Sequence, residues 1–261
     1  MPSHYAHYRF GSLILASMRP EARRCIQRFR QMYDVGLHGP DLLFYHNIFL
    51  KDASGDLARQ FHRQSGEDFF SRVCSQLRQE PSEAAMAYLY GVLAHYCLDS
   101  LCHPYIGAAV QDGQVGHVEL ETEFDRFLLA LDGKHPPHTF DCSAHMRLTR
   151  GECVTVSAFY PPATPGVVYH SIRTMAFSVK ILASPKGVAR TAVNTAVKLT
   201  GGALAPHIMT RTPNSRCSHL NDDLLALFDQ ALEAYPRMLE SLSAHISHNA
   251  PLGEEFEKCF G

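Results

Sequence analysis

Apolar positions recur three and four residues apart along most of the chain, the period of helices packed on one face. After Pro20, a residue suited to a first helical turn, Glu21 to Asp34 predicts an amphipathic helix closed by Gly36. Ser54 to Gln64 and Ser65 to Gln79 predict two helices, or one broken helix, each opened by a serine. Pro81-Ser82-Glu83 opens a long apolar helix to about Cys102. A turn over Gln111 to Gly116 leads into a helix from about His117 to Leu131, stopped by Asp132-Gly133. Gly166 to Ala183, Pro185 to Thr200 and Asn221 to Ser247 complete the set. The stretch Glu152 to Tyr160 is β-like in composition, but one short run makes no sheet. No repeat and no Gly/Ser-rich linker divides the chain, and Pro161 to Pro165 reads as an internal loop. The expectation is a single all-α domain over residues 1–261.

Composition narrows the function classes. The chain has 261 residues, of which 46% are apolar and 19% charged, enough to bury a core. A net charge of −2 argues against a general nucleic-acid binder, so no stable nucleic-acid complex is expected. Purely apolar runs are a handful of residues long, so no transmembrane segment is expected. The first ten residues lack the basic-then-apolar plan of a secretory signal. Eight cysteines without a C-x-x-C pair suit reduced, buried thiols, which together with that N-terminus predicts a cytoplasmic location. Charge is uneven. Between Cys153 and Asn221 there is no acid, while Arg173, Lys180, Lys186, Arg190, Lys198, Arg211 and Arg216 are basic. That stretch reads either as a solvated face or as a cationic wall beside an anionic substrate, with peripheral membrane contact open to it.

Sixteen histidines are the anomaly. In His95-Tyr-Cys-Leu-Asp99-Ser-Leu-Cys-His103-Pro104, His95 and Asp99 lie four apart, on one helical face, and can grip one cation. His103 lies a turn further on, biased out of helical geometry by Pro104 and free to serve a neighbouring ion. His117 and Glu121 repeat the spacing on the next helix. Imidazole plus carboxylate is a ligand mixture that zinc accepts, and two adjacent sets suit a multi-metal hydrolytic site. Gly36-Leu-His-Gly-Pro-Asp41-Leu-Leu-Phe-Tyr-His46 adds a carboxylate and an imidazole, with His38 reading as water-exposed. His7 and His4 are weak candidates on spacing alone. Glu123 and Asp125 read as solvated or as props for a ligand, and Cys97 and Cys102 as packing. The remaining histidines, among them His135, His138, His145, His170, His207 and His245, have no partner at ligand spacing and read as mostly surface.

Taken in order, Y-A-H-Y-R-F-G, G-P-D-x-x-F-Y-H, H-x-x-x-D-x-x-x-H and H-x-x-x-E resemble the zinc-dependent phospholipase C family of bacteria. Nucleases of the P1 type are more distant relatives that share the zinc logic. The resemblance covers roughly residues 1–125 by motif. It implies an all-α fold around a multinuclear zinc site. Asp41, His46, His95 and Asp99 match ligands of a first zinc, and His103, His117 and Glu121 those of a second. His7 and the bridging Asp99 match ligands of a third, which an N-terminal Trp completes in secreted members. This chain has no Trp, so Met1, Pro2 or His4 would have to replace it. The membrane-docking β-domain that some members carry is expected to be absent here.

The resulting expectation is a zinc-dependent phosphoric-diester hydrolase of the phospholipase C type, holding two zinc ions and a third if its site is complete. Its substrate would be a phosphodiester or a phospholipid headgroup. Asp41 would be a ligand only, or would also orient or deprotonate the attacking water. The alternatives are a single-strand nuclease or phosphatase on the same site, and a metal-bound helical scaffold without turnover. Oligomeric state is not legible.

Overall fold

The computed structural model describes residues 4–48, 51–113, 115–183, 188–199, 201–202 and 205–261. Among them the regular structure is helical: α1 (His4–Ile14), α2 (Pro20–Arg28), α3 (Arg30–Gly36), α4 (Ala53–Arg63), α5 (Gly66–Gln79), α6 (Glu83–Gln111), α7 (His117–Leu131), α8 (Arg150–Ser157), α9 (Pro165–Leu182), α10 (Val188–Leu199) and α11 (Ser218–His248). A 3₁₀ helix, Gly39–Tyr45, joins α3 towards α4, and no strand ladder forms among the described residues.

Helix α6 is the axle. From Ala87 to Ser100 nearly every residue is buried, which is what a helix apolar on all sides requires. Its start is the expected one, with Ser82 Oγ accepting the Ala85 N–H at 3.3 Å. Its end is not, because Pro104 lies inside the helix, which continues to Gln111. Packing on both sides of the proline outweighs its local bias, and His103 keeps the helical phase of His95 and Asp99.

Helices α3 and α6 meet backbone to backbone. A Cβ on Gly91 would lie 2.3 Å from the Tyr33 carbonyl, and one on Gly36 would lie 2.4 Å from the Tyr88 carbonyl, so only glycine fits at either point. The same approach brings Gly39, at φ +47°, against the His95 ring, 2.4 Å from where a Cβ would stand. Asp41 is thereby delivered beside His95. Helix α11 also packs on α6 and closes the core through Phe228 and Tyr235, both edge-on to Phe10 of α1.

Several boundaries differ from expectation, each for a local reason. The helix predicted over 21–34 breaks at Phe29 (φ −120°, ψ 46°), which lets α3 turn onto α6. Asp52, not Ser54, opens α4, its Oδ1 accepting the Gly55 N–H at 2.9 Å. The β-like stretch is α8, started by a capping box between Thr149 and Glu152 that overrides composition. Helix α11 begins a turn earlier than read, at Ser218. Helix α1 and the 3₁₀ helix lacked a periodic signal. Pro185 and Thr200, the ends expected for α10, lie outside the described residues, as do Met1, Pro2 and Lys186.

Asp125 of α7 accepts the backbone N–H groups of His4, Tyr5 and Ala6 at 2.8, 3.0 and 2.8 Å. It is buried rather than solvated, and it satisfies the orphan donors at the start of α1 from across the fold. Replacing it leaves those buried donors unpaired. Asp125→Ala should lower stability by roughly 2–4 kcal/mol, as expected for several charge-assisted hydrogen bonds. Urea denaturation checks this, and a change under about 0.5 kcal/mol, the range of ordinary surface substitutions, would contradict it.

Candidate metal centre

Five elements bring chemistry to one place. Helix α6 supplies a stripe, His95, Asp99 and His103, four residues apart. Helix α1 adds His7, the 3₁₀ helix adds Asp41, α4 adds His62, and α7 adds His117 and Glu121. Asp99 stands at the centre: Oδ1 lies 3.2 Å from His7 Nε2, and Oδ2 lies 3.2 Å from His95 Nε2 and 3.7 Å from His103 Nε2. Asp41 meets His62 at 2.7 Å through Oδ1, and His95 at 3.9 Å through Oδ2. Glu121 Oε1 lies 3.2 Å from His117 and 3.5 Å from His103. Two groups result, His7–Asp41–His95–Asp99, fully buried, and His103–His117–Glu121, open to a cleft.

Burial opposes charge on His7, Asp41, Asp99, His103 and Glu121, and there the attraction of neighbouring groups outweighs it. Burial pushes the Asp99 carboxyl up, and His95, His103 and His7 outweigh it and hold it far below the usual range. Glu121 is likewise lowered, by its hydrogen bonds from His103 and His117 against the cost of burial. His103 is pushed up to about 9 because Asp99 and Glu121 overcome its desolvation. His95, the most enclosed, goes the other way, lowered to about 4 chiefly by burial.

The donor set fits a cation. Asp41 Oδ2, Asp99 Oδ2, His95 Nε2 and Glu121 Oε2 are buried and have no hydrogen-bond partner. Such atoms are costly to bury unpaired, and here four of them sit within two convergent groups. Imidazole nitrogens and carboxylate oxygens are the donors zinc prefers.

His46 is in neither group. Its Nδ1 lies 2.6 Å from Asp52 Oδ2, the residue that caps α4, and its ring stands edge-on to His170. The residue beside Asp41 is His62, which spacing along the chain did not flag. The signal lay in the amphipathic pattern of α4, where His62 joins Ala58 and Phe61 on the buried face. His38 is buried, not water-exposed; its Nε2 lies 2.8 Å from that of His145, and burial holds its imidazole well below the ordinary value. His4 bonds the Tyr45 hydroxyl at 2.8 Å and is absent from both groups. Glu123 is buried in a paired contact with Arg126. His245 is buried as well, its Nδ1 2.6 Å from the Ala250 carbonyl.

The residues after α11 return to the site as a strap. The Gly261 N–H donates to the His62 carbonyl at 3.2 Å, and the Gly66 N–H donates to the Lys258 carbonyl at 2.8 Å. Phe260 is fully buried against Phe69, Tyr96 and the His95 ring. A Cβ on Gly261 would fall 1.8 Å from His103 Nδ1. The cleft above the groups, about 250 Å³, is rimmed by Phe44, Arg59, Arg63 and Gly261. None of the basic residues of the 153–221 stretch whose side chains are described lines it.

The family described as zinc dependent phospholipase C matches residues 6–157. No curated protein and no solved structure matches the chain. The matched span includes every residue the five elements contribute, from His7 to Glu121, and the strap lies beyond it.

The contrast between two histidines is testable. After chelation and zinc restoration, His62→Ala should bind zinc about 10–100-fold more weakly than the unsubstituted chain. His46→Ala should match the unsubstituted chain. Competition with a chromogenic chelator reads both affinities, and weakening by His46→Ala alone would reverse the assignment.

Proposed function

Because the chain belongs to the zinc-dependent phospholipase C family, we propose that its buried groups hold zinc and that the cleft hydrolyses a phosphodiester. Membership supports a zinc-dependent phospholipase-type hydrolase in general. The finer reading rests on one observation: Asp99 faces His7, His95 and His103 at once and so joins the two groups. A phosphate spanning them would be held at both ends. Zinc bound there supplies Lewis-acid charge for phosphate oxygens and a water that ionises near neutral pH.

The chain's own groups have separate tasks. His95, Asp99 and His7 fix the buried group, and His103, His117 and Glu121 fix the outer one. Asp41 is held by His62 through one oxygen and keeps Oδ2 for a ligand or for a water proton. That second use would make it the base. The strap and Phe260 close the back of the site and exclude water from His95. The expected substrate is a phospholipid or its headgroup diester, as the family suggests; no helix among the described residues is long and apolar enough to cross a membrane. Eight unpaired cysteines support a reducing, cytoplasmic setting. The nuclease alternative drew on the basic stretch, and with no described side chain from it in the cleft that support is lost.

Turnover of the soluble diester bis(4-nitrophenyl) phosphate should vanish with a chelator and return with zinc. Asp99→Asn should cost more than about 100-fold and Glu121→Gln about 10–100-fold, because Asp99 serves both groups and Glu121 only one. Equal losses in folded variants would contradict the joining role. No turnover by the zinc-restored chain on any diester would sink the hydrolase reading.

A further inference from the structure

The rim of the cleft carries charge that metal binding does not use. Arg59 and Arg63 lie four apart on α4, about 6 Å along its axis, and both line the cleft with His62 between them in sequence. Both are exposed. Arg59 is tied to Asp56 at 2.5 Å, an exposed pair. No carboxylate among the described residues pairs with Arg63. Among the described side chains lining the cleft, the carboxylates are Asp41 and Glu121, both buried and turned onto imidazoles. A ligand whose phosphate sits at those groups therefore presents its far end to guanidinium and to Phe44. Among the described residues, no acidic side chain lining the cleft is exposed to receive a quaternary ammonium.

Resting on the phosphodiester reading of the cleft, we propose that Arg63, seconded by Arg59, determines specificity by selecting substrates with a second negative charge beyond the scissile phosphate. A guanidinium matches a carboxylate or phosphate with two parallel hydrogen bonds, which an ammonium headgroup cannot offer. The selected class is an anionic headgroup rather than a zwitterionic choline. Arg63 also lies in the last turn of α4, where a cation suits the helix dipole. A purely structural role of that kind would move the melting temperature and leave ligand preference alone.

Two probes share a phosphate and differ at the far end: phosphoglycolate carries a carboxylate, phosphocholine a quaternary ammonium. Calorimetry on the zinc-restored chain should find phosphoglycolate bound about tenfold more tightly, with a gap that narrows as salt rises. Arg63→Ala should erase most of that ratio and Arg63→Glu should invert it. Arg24→Glu, an identical charge change on α2 outside the cleft, should leave it intact. Equal affinities in the unsubstituted chain, binding of neither probe, or the same ratio in Arg63→Glu would overturn the proposal. So would an equal shift in Arg24→Glu, which would mark a net-charge effect. Preference without hydrolysis of any diester would sink the proposed reaction and uphold Arg63, while hydrolysis without preference would do the reverse.

Discussion

Asp99 is a carboxylate with almost no access to water, and three imidazoles from two helices face it within 3.7 Å. A buried charge of this kind persists only if it is paired or coordinates a cation. The pairs present are incomplete: Asp99 Oδ2 and His95 Nε2 are 3.2 Å apart, yet neither has a hydrogen-bond partner. Each therefore keeps a lone pair or a proton that no neighbour satisfies. A cation resolves that conflict, and much of the fold can be understood as the means of holding these donors together without it.

The constraints come from all around α6. Close contact of Gly36 and Gly91 sets the path of the chain into Gly39, and so the position of Asp41. Asp125 anchors the first turn of α1, one turn before His7. Asp52 opens α4 with one oxygen and holds His46 with the other, fixing the helix that carries His62. Phe256 and Phe260 pack on Phe70 and Tyr96, and the Tyr96 hydroxyl donates to the carbonyls of Glu255 and Lys258. These supports span the chain from α1 to the strap, so the site is a property of the whole helical assembly.

Much of this was legible beforehand. The i,i+4 spacing of His95 with Asp99 and of His117 with Glu121 became geometry directly, because a helix fixes the phase of residues on one face. His103 was legible as a candidate but not in its mode, since tertiary packing overrode the local bias of Pro104. His46 lies close to Asp41 along the chain and matches a first-zinc ligand by resemblance, whereas the neighbour of Asp41 in space, His62, arrives from the next helix. Sequence distance is a poor guide once a ligand comes from a separate element. The strap was illegible for the same reason: its aromatic residues have no periodicity, and their role appears only once Phe69, Phe70 and Tyr96 are assembled. The acid-free stretch drew attention through net charge, yet the cations at the cleft belong to α4, within an otherwise ordinary amphipathic helix.

The central claim is that the two convergent groups exist to hold metal. Crystals of the zinc-restored chain, measured on either side of the zinc absorption edge, test it most directly. The account predicts anomalous peaks at ligand distance, about 2.0–2.2 Å, from Asp99 with its neighbours His95 and Asp41, and from His103, His117 and Glu121. Two empty groups at full zinc saturation, or zinc held elsewhere while the buried carboxylates stay bare, would contradict it.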